Sequence, residues 1–344
     1  MAASGPNGGP APPSSSSFFR TMVSTFRTIK YEHLVAGVSG GVVSTLILHP
    51  LDLLKIRFAV DDGKSIEKHR PQYSSLRHAF RSIFQQEGVR GLYKGVTPNV
   101  AGAGTAWGFY FLFYNSIKTE LQEGNSKTQL SPGLHMMAAA QAGALTLAMT
   151  NPIWVVKTRL CLQYGGDELA QAKDPSKTYK GMVDALYKIG KYEGIRGLYK
   201  GFVPGLWGVS HGAIQFMAYE EMKSSYNIFN QHPIDHKLGT LEYLFFAALS
   251  KLFAAVTTYP YQVVRARLQD QHSEYKGAVD CVQKILRYEG VVGLYKGLTP
   301  YLVHVLPNIC MVLLIYEKMT NRPTSSSPPS TTTTTTSTPT SSKR

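Results

Sequence analysis

An all-α membrane protein with six transmembrane helices in three tandem repeats is what this sequence predicts, from three observations. Long windows within it contain no Asp, Glu, Lys or Arg. One ordered set of Pro, basic, Tyr and Gly positions occurs three times. The polar, low-complexity sequence lies at the two ends, so the mean hydropathy of −0.12 understates the middle of the chain.

Taken in order, residues 1–30 are rich in Ser, Pro, Gly and Ala, hold no acidic residue, and lack the apolar run of ~7–15 residues that a secretory signal needs. They read as a flexible N-terminal extension. The folded body, about 31–321, divides into repeats at 31–121, 132–226 and 238–321. Four windows in it are free of charged residues: Gly95 to Ile117, Thr128 to Val156, Gly201 to Tyr219 and Gly297 to Tyr316. Each approaches or exceeds the ~20 residues with which a helix crosses a bilayer core. A fifth window, Leu34 to Leu51, contains His49, and a sixth, Tyr243 to Val264, is interrupted by Lys251. Their many Gly, Ala, Ser and Thr residues lower hydropathy, yet let helices approach closely where lipid supplies no hydrophobic drive between them. Residues 322–344 are almost wholly Ser, Thr and Pro, which cannot bury enough apolar surface to offset ordering entropy, and read as a disordered tail.

Composition narrows the function classes. Of 344 residues, 36 are Lys or Arg and 22 Asp or Glu, a net charge of +14, but only 17% are charged and 43% are apolar. That balance needs no nucleic acid. Cys161, Cys281 and Cys310 form no C-x-x-C and no framework of paired spacings, which argues against a small secreted scaffold. The sequence contains no nucleotide-binding P-loop, no H-E-x-x-H metal motif and no nucleophile with a base at sensible spacing, so no catalytic or metal residues and no cofactor are assigned.

The repeat is read from typed positions. Pro50, Asp52, Lys55 and Arg57 lead to Tyr73 and then Glu87-Gly88 and Tyr93-Lys94-Gly95. Pro152, Trp154, Lys157 and Arg159 lead to Tyr179, Glu193-Gly194 and Tyr199-Lys200-Gly201. Pro260, Gln262, Arg265 and Arg267 lead to Tyr275, Glu289-Gly290 and Tyr295-Lys296-Gly297. Between the Pro and Glu-Gly motifs lie amphipathic segments at Leu76–Gln86, Met182–Tyr192 and Ala278–Tyr288. Asp52 and Lys55, three residues apart, share one helix face. Charges recurring at one offset at the end of an apolar helix are harder to dismiss as side chains snorkelling to headgroups.

These motifs resemble those of the mitochondrial carrier family over essentially all of residues 31–321. The resemblance implies a pseudo-symmetric three-fold bundle with short matrix helices, both termini toward the intermembrane space of the mitochondrial inner membrane, and one central site. It implies a matrix gate in which Asp52 meets Lys157, Trp154 meets Arg265 and Gln262 meets Lys55. Trp154 and Gln262 stand where the family commonly has acids, so the gate is expected to be weak: one ion pair, a cation–π contact and a hydrogen bond. Trp154 also reads as an interfacial aromatic anchor. The combination of Trp and Gln resembles a small branch that carries folate, FAD and pyridine nucleotides. Folate or FAD would then be transported substrate.

On the even-numbered helices the resemblance places a cytoplasmic gate at Asn115, Lys118, Glu220, Lys223, Glu317 and Thr320, with Lys118–Glu220 and Lys223–Glu317 as ion pairs. Thirteen positions before the gate acids or their substitutes, it places substrate contacts at Gly102, Trp207 and His304, with Ala103, Gly208 and Val305 beside them. Gly102 and Ala103 are expected to leave room for a bulky ligand, and Trp107 and Trp207 to offer faces for a flat ring, although Trp107 also suits packing toward lipid. Lys251 stands where the other repeats have Gly41 and Gly143; a lysine against lipid is costly, so it is expected to face the cavity and, with Arg265 and Arg267, to draw a polyanion inward. His304 occupies a position where related anion carriers commonly have Arg. Lys94, Gly95, Lys200, Gly201, Lys296 and Gly297 open apolar helices and read as cardiolipin sites or as plain positive flanks. A monomer is expected. A soluble helical-repeat scaffold is the reading from another class, and the charge-free windows oppose it; a carrier fold that conducts protons or acts as a receptor is a third.

Overall fold

The computed structural model describes residues 31–63, 71–122, 130–164, 178–233, 238–273, 275–305 and 307. The N-terminal extension, the tail, Glu317 and Thr320 lie outside the described residues. Every regular element among those described is helical.

The first repeat is α1 (Tyr31–Val60), α2 (Leu76–Leu92) and α3 (Val96–Leu121). The second is α4 (Pro132–Cys161), α5 (Met182–Tyr192), α6 (Gly194–Leu198), α7 (Phe202–Trp207) and α8 (Ser210–Phe229). The third is α9 (Thr240–Gln269), α10 (Ala278–Tyr288) and α11 (Gly290–Gly293), followed by helical residues 298–305. Each repeat is therefore a long helix, a short helix and a second apolar helix. α1, α4 and α9 are 30 residues each, roughly 45 Å at the α-helical rise. The short helices α5 and α10 have the bounds expected from amphipathicity; α2 runs further, through a turn at Gly88 (φ 67°).

Two expectations about spans change. The window Gly201 to Tyr219 is not one helix, because the Gly208 and Val209 amides bond back three residues to Gly205 and Leu206. These tight turns separate α7 from α8 where Gly208 is pressed against the Tyr261 ring. By length and mean hydropathy, one helix among the described residues, Leu241–Gln269, is apolar and long enough to cross a membrane. On that helix Leu241, Phe245, Leu249 and Phe253 recur every fourth residue and are all exposed. Met137, Leu145 and Met149 on α4 are exposed in the same way. The long helices thus present apolar stripes that no described residue covers.

Burial concentrates where α1, α4 and α9 end. The third and fourth residues after each proline, Leu53 and Leu54, Val155 and Val156, Val263 and Val264, are buried. The short helices of each repeat pack there through equivalent pairs: Ala79 and Ile83, Ala185 and Ile189, Cys281 and Ile285. Each buried Ile contributes on the order of 1.5–3 kcal/mol. The prolines lie inside their helices, and the residue before each uses its side chain to hold the chain just ahead of the second helix of its own repeat. His49 Nε2 lies 2.9 Å from the Lys94 carbonyl, Asn151 donates to the Leu198 carbonyl, and Tyr259 donates to the Lys296 carbonyl.

Candidate functional site

The base of the bundle is closed by three equivalent clusters. Arg57, Arg159 and Arg267 are buried and each makes a two-pronged contact with the acid of a Glu-Gly turn: Glu87, Glu193 and Glu289. Tyr73 and Tyr179 accept from their arginines, and Tyr275 shares a hydrogen bond with Arg267. Each arginine Nε then donates to a carbonyl of the next repeat: Arg57 to Cys161 at 3.0 Å, Arg159 to Gln269 at 3.2 Å, Arg267 to Ala59 at 3.0 Å. The last contact returns repeat three to repeat one, so the ring is complete.

Arg267 therefore cannot attract substrate as expected. It lies two residues, about 200° of helix, beyond Arg265, so the pair point to opposite faces. Lys94, Lys200 and Lys296 are also committed: their ammonium groups lie 2.7, 3.0 and 2.7 Å from Glu87, Glu193 and Glu289. Lys94 and Lys296 donate further to the Gln163 and Asp61 carbonyls. Burial works against charge at all three acids, but the bonds and charges of the Arg and Lys partners outweigh it. They hold Glu87 and Glu289 below the usual carboxylate range and bring Glu193 down to about 2. Gly95, Gly201 and Gly297 adopt φ of 82°, 74° and 84°, and a Cβ would sit 3.1, 3.1 and 2.8 Å from the carbonyls of Lys157, Arg265 and Lys55. Only glycine lets these helix starts lie against the neighbouring repeat.

Above this ring the structure places Asp52 and Lys157 in an ion pair at 2.5 Å. Asn99 donates to Asp52 at 3.2 Å and its amide nitrogen lies 3.3 Å from His49 Nδ1, which ties the start of α3 to α1 on both sides of Pro50. Trp154 does not meet Arg265. Its ring lies 5.4 Å from Lys157 Nζ, its own neighbour three residues along α4, and its Nε1 donates to Thr150. Arg265 instead donates to Asn151 at 3.5 Å, with its Nε buried and unpartnered among the described residues. Gln262 does not meet Lys55 directly either. Tyr301 stands between them, hydrogen bonded to Gln262, with Lys55 Nζ 4.0 Å from its ring centre.

At the centre, Gly102 and Gly208 do not open space. A Cβ on Gly102 would meet Ile153 at 3.0 Å and the Trp154 ring at 3.4 Å; one on Gly208 would meet the Tyr261 ring at 2.8 Å. Each glycine seats an aromatic side chain of the facing helix. Ala103 is half-buried and Val305 buried. Trp107 and Trp207 are 63% and 72% exposed, and Trp107 stacks on Phe111. Lys251 is half-buried and within electrostatic reach of both His211 and His304. At the far end of the bundle, Glu220 pairs with Lys223 of its own helix at 3.7 Å, and among the described residues Lys118 makes no ion pair with Glu220. Asn115 is exposed.

A mitochondrial carrier protein family model matches residues 28–125, 128–229 and 236–326. The chain belongs to the mitochondrial carrier family. Among the relatives of this carrier is a chloroplastic folate transporter of Arabidopsis thaliana, 40% identical over 300 residues, covering 84% of this chain and 94% of the relative. A chloroplastic nicotinamide adenine dinucleotide transporter of the same plant is 38% identical, with 82% and 88% covered. A mitochondrial FAD carrier of Saccharomyces cerevisiae is 30% identical, with 85% and 96% covered.

Sequence reading of the carrier missed Asn99, Tyr301, Tyr261 and His211. His211 lies 2.9 Å from Thr258 on α9 and follows Trp207 by one turn within a charge-free window, where an imidazole was itself a signal. Asn99 and Tyr301 carried no comparable mark, since an uncharged polar residue near a helix start is ordinary.

Proposed function

We propose that this carrier moves folate across the mitochondrial inner membrane by alternating access through a central site, with six helices spanning the bilayer and both termini toward the intermembrane space. The observation that carries it is the contrast between the two ends of the bundle. Asp52 and Lys157 are joined at the base, whereas Lys118 and Glu220 at the opposite end are not joined to each other. A single central site between gates that close in turn is the requirement of transport. The apolar stripes on α4 and α9, exposed among the described residues, suit lipid, which favours a membrane carrier over a soluble scaffold.

Carriage of FAD or NAD is the second reading. Relatives named for both resemble this chain at 30% and 38% identity, and exposed tryptophans accept any flat heteroaromatic ring. Lys251, Lys55 and Arg265 supply positive charge for an anionic arm. Cardiolipin is proposed at the starts of α3, α7 and the segment 298–305, through the partly exposed flanks of Lys94, Lys200 and Lys296. The carrier is proposed to act as a monomer and without catalysis. Liposomes containing the purified full chain, challenged in parallel with labelled folate, FAD and NAD, test this: uptake of folate above the other two is expected, and uptake of none would overturn it.

A further inference from the structure

Between the two gates stands a titratable side chain, His304, that the base network does not use. Its Nδ1 is buried and has no hydrogen-bond partner among the described residues. Charged groups face it from three helices: Asp52 and Lys55 on α1, Lys157 on α4, and Lys251 on α9. Tyr301, one turn earlier on its own helix, is hydrogen bonded to Gln262, and His211 on α8 is held against Thr258. Three of those four charged neighbours are cations, and the one acid is paired with Lys157. Among the described residues the ring therefore lacks an anionic partner of its own.

We propose that His304 takes up a proton together with each anionic substrate and releases it with that substrate on the other side, so that this carrier is a proton–anion symporter. The proposal rests on the transport reading above and adds a second transported species. Imidazole is the side chain that ordinarily titrates between pH 5 and 8, whereas lysine keeps its proton throughout that range. A carboxylate or phosphate entering among Lys55, Lys157 and Lys251 brings negative charge beside the ring and an acceptor for its N–H. Because coupling between two bound species is reciprocal, the proton raises anion affinity by the same factor as the anion raises proton affinity. Alternating access then exposes the ring to each compartment in turn. The proton comes from water on the entry side, bonds to the ring, and returns to water on the exit side; nothing is oxidised or reduced. An arginine there, always charged, would bind the anion without moving a proton.

The test uses the full chain in liposomes holding a trapped pH-sensitive dye, with labelled folate or, in parallel, labelled FAD added outside at about pH 6.5 or about pH 7.5. Expected is acidification of the lumen at one proton per substrate, and an initial rate that approaches roughly tenfold per pH unit while most rings are neutral. In His304→Arg and His304→Asn the proton-to-substrate ratio falls to zero, whatever transport rate remains. Wild-type uptake without acidification overturns the proposal and leaves the transport reading standing. An unchanged ratio in His304→Asn also overturns it. If neither compound enters at either pH, the transport reading fails and this inference falls with it.

Discussion

Replacing Asp52 by Asn should release the base of the bundle without unfolding it. The Asp52–Lys157 pair is 2.5 Å apart, with side chains 13% and 12% exposed. Removing one partner of a fully buried pair costs ~3–5 kcal/mol, and the remaining exposure puts this pair near the lower end. The Lys157–Trp154 contact lies within α4 and is already made beside Asp52, so it does not offset the loss. Roughly 3 kcal/mol against the base-closed state is about 150-fold in its population relative to the open one. Cys161 reports it, because the seam between repeats one and two buries that thiol and holds its Sγ 3.3 Å from the Lys94 carbonyl. With Cys281 and Cys310 replaced by Ser, maleimide labelling of Cys161 in Asp52→Asn should accelerate by that factor, and substrate uptake should fall. The double variant Asp52→Lys with Lys157→Asp should slow labelling again relative to either single change. Wild-type labelling in Asp52→Asn, or a double variant no better than the singles, would refute the assignment of this pair as the closure.

Three further outcomes are expected. Trp154→Asp should keep the helical content seen by circular dichroism while abolishing or redirecting uptake, and wild-type uptake would remove the main reason for choosing the folate and FAD branch. Ile189→Ala should lower stability by ~2–5 kcal/mol, measured by thermal unfolding in detergent, since Ile189 is fully buried between α5 and α4. Acid should loosen the ring of Glu87, Glu193 and Glu289. Their folded carboxyls lie below the ordinary value, about 2 for Glu193 against 4.5, so their contribution is complete above about pH 4.5 and is lost as pH falls toward about 2. Glu193→Gln should flatten the fall of melting temperature across that window, and an unchanged slope would count against the ring.

Much of the fold was legible because the decisive positions are typed and periodic. Pro50, Pro152 and Pro260 mark equivalent points in three long helices, and the pattern within 182–192 and 278–288 set the bounds of α5 and α10. The pairing of Asp52 with Lys157 followed from family resemblance and opposite charge. Contacts of uncharged groups were not legible. Nothing in the identity of Gly102 says that an indole lies on it, and the hydroxyl of Tyr301 is invisible until two helices bring Lys55 and Gln262 to either side. The expected Trp154–Arg265 contact failed for a local reason, since a lysine three residues along the same helix reaches the ring first. Arg57, Arg159 and Arg267 stand out in sequence only as part of a motif; their burial follows from the 200° that separates each from Lys55, Lys157 or Arg265 on its own helix.

The bond from Arg267 to Ala59 joins the last third of the chain to the first across 208 positions, and Lys296 reinforces it at Asp61. Without the final third of the chain the Ala59 and Asp61 carbonyls lose these donors, and the first and last repeats are no longer fastened there. A chain cut before residue 238 should remain protease-sensitive at Ala59 and Asp61, whereas the complete chain resists cleavage there.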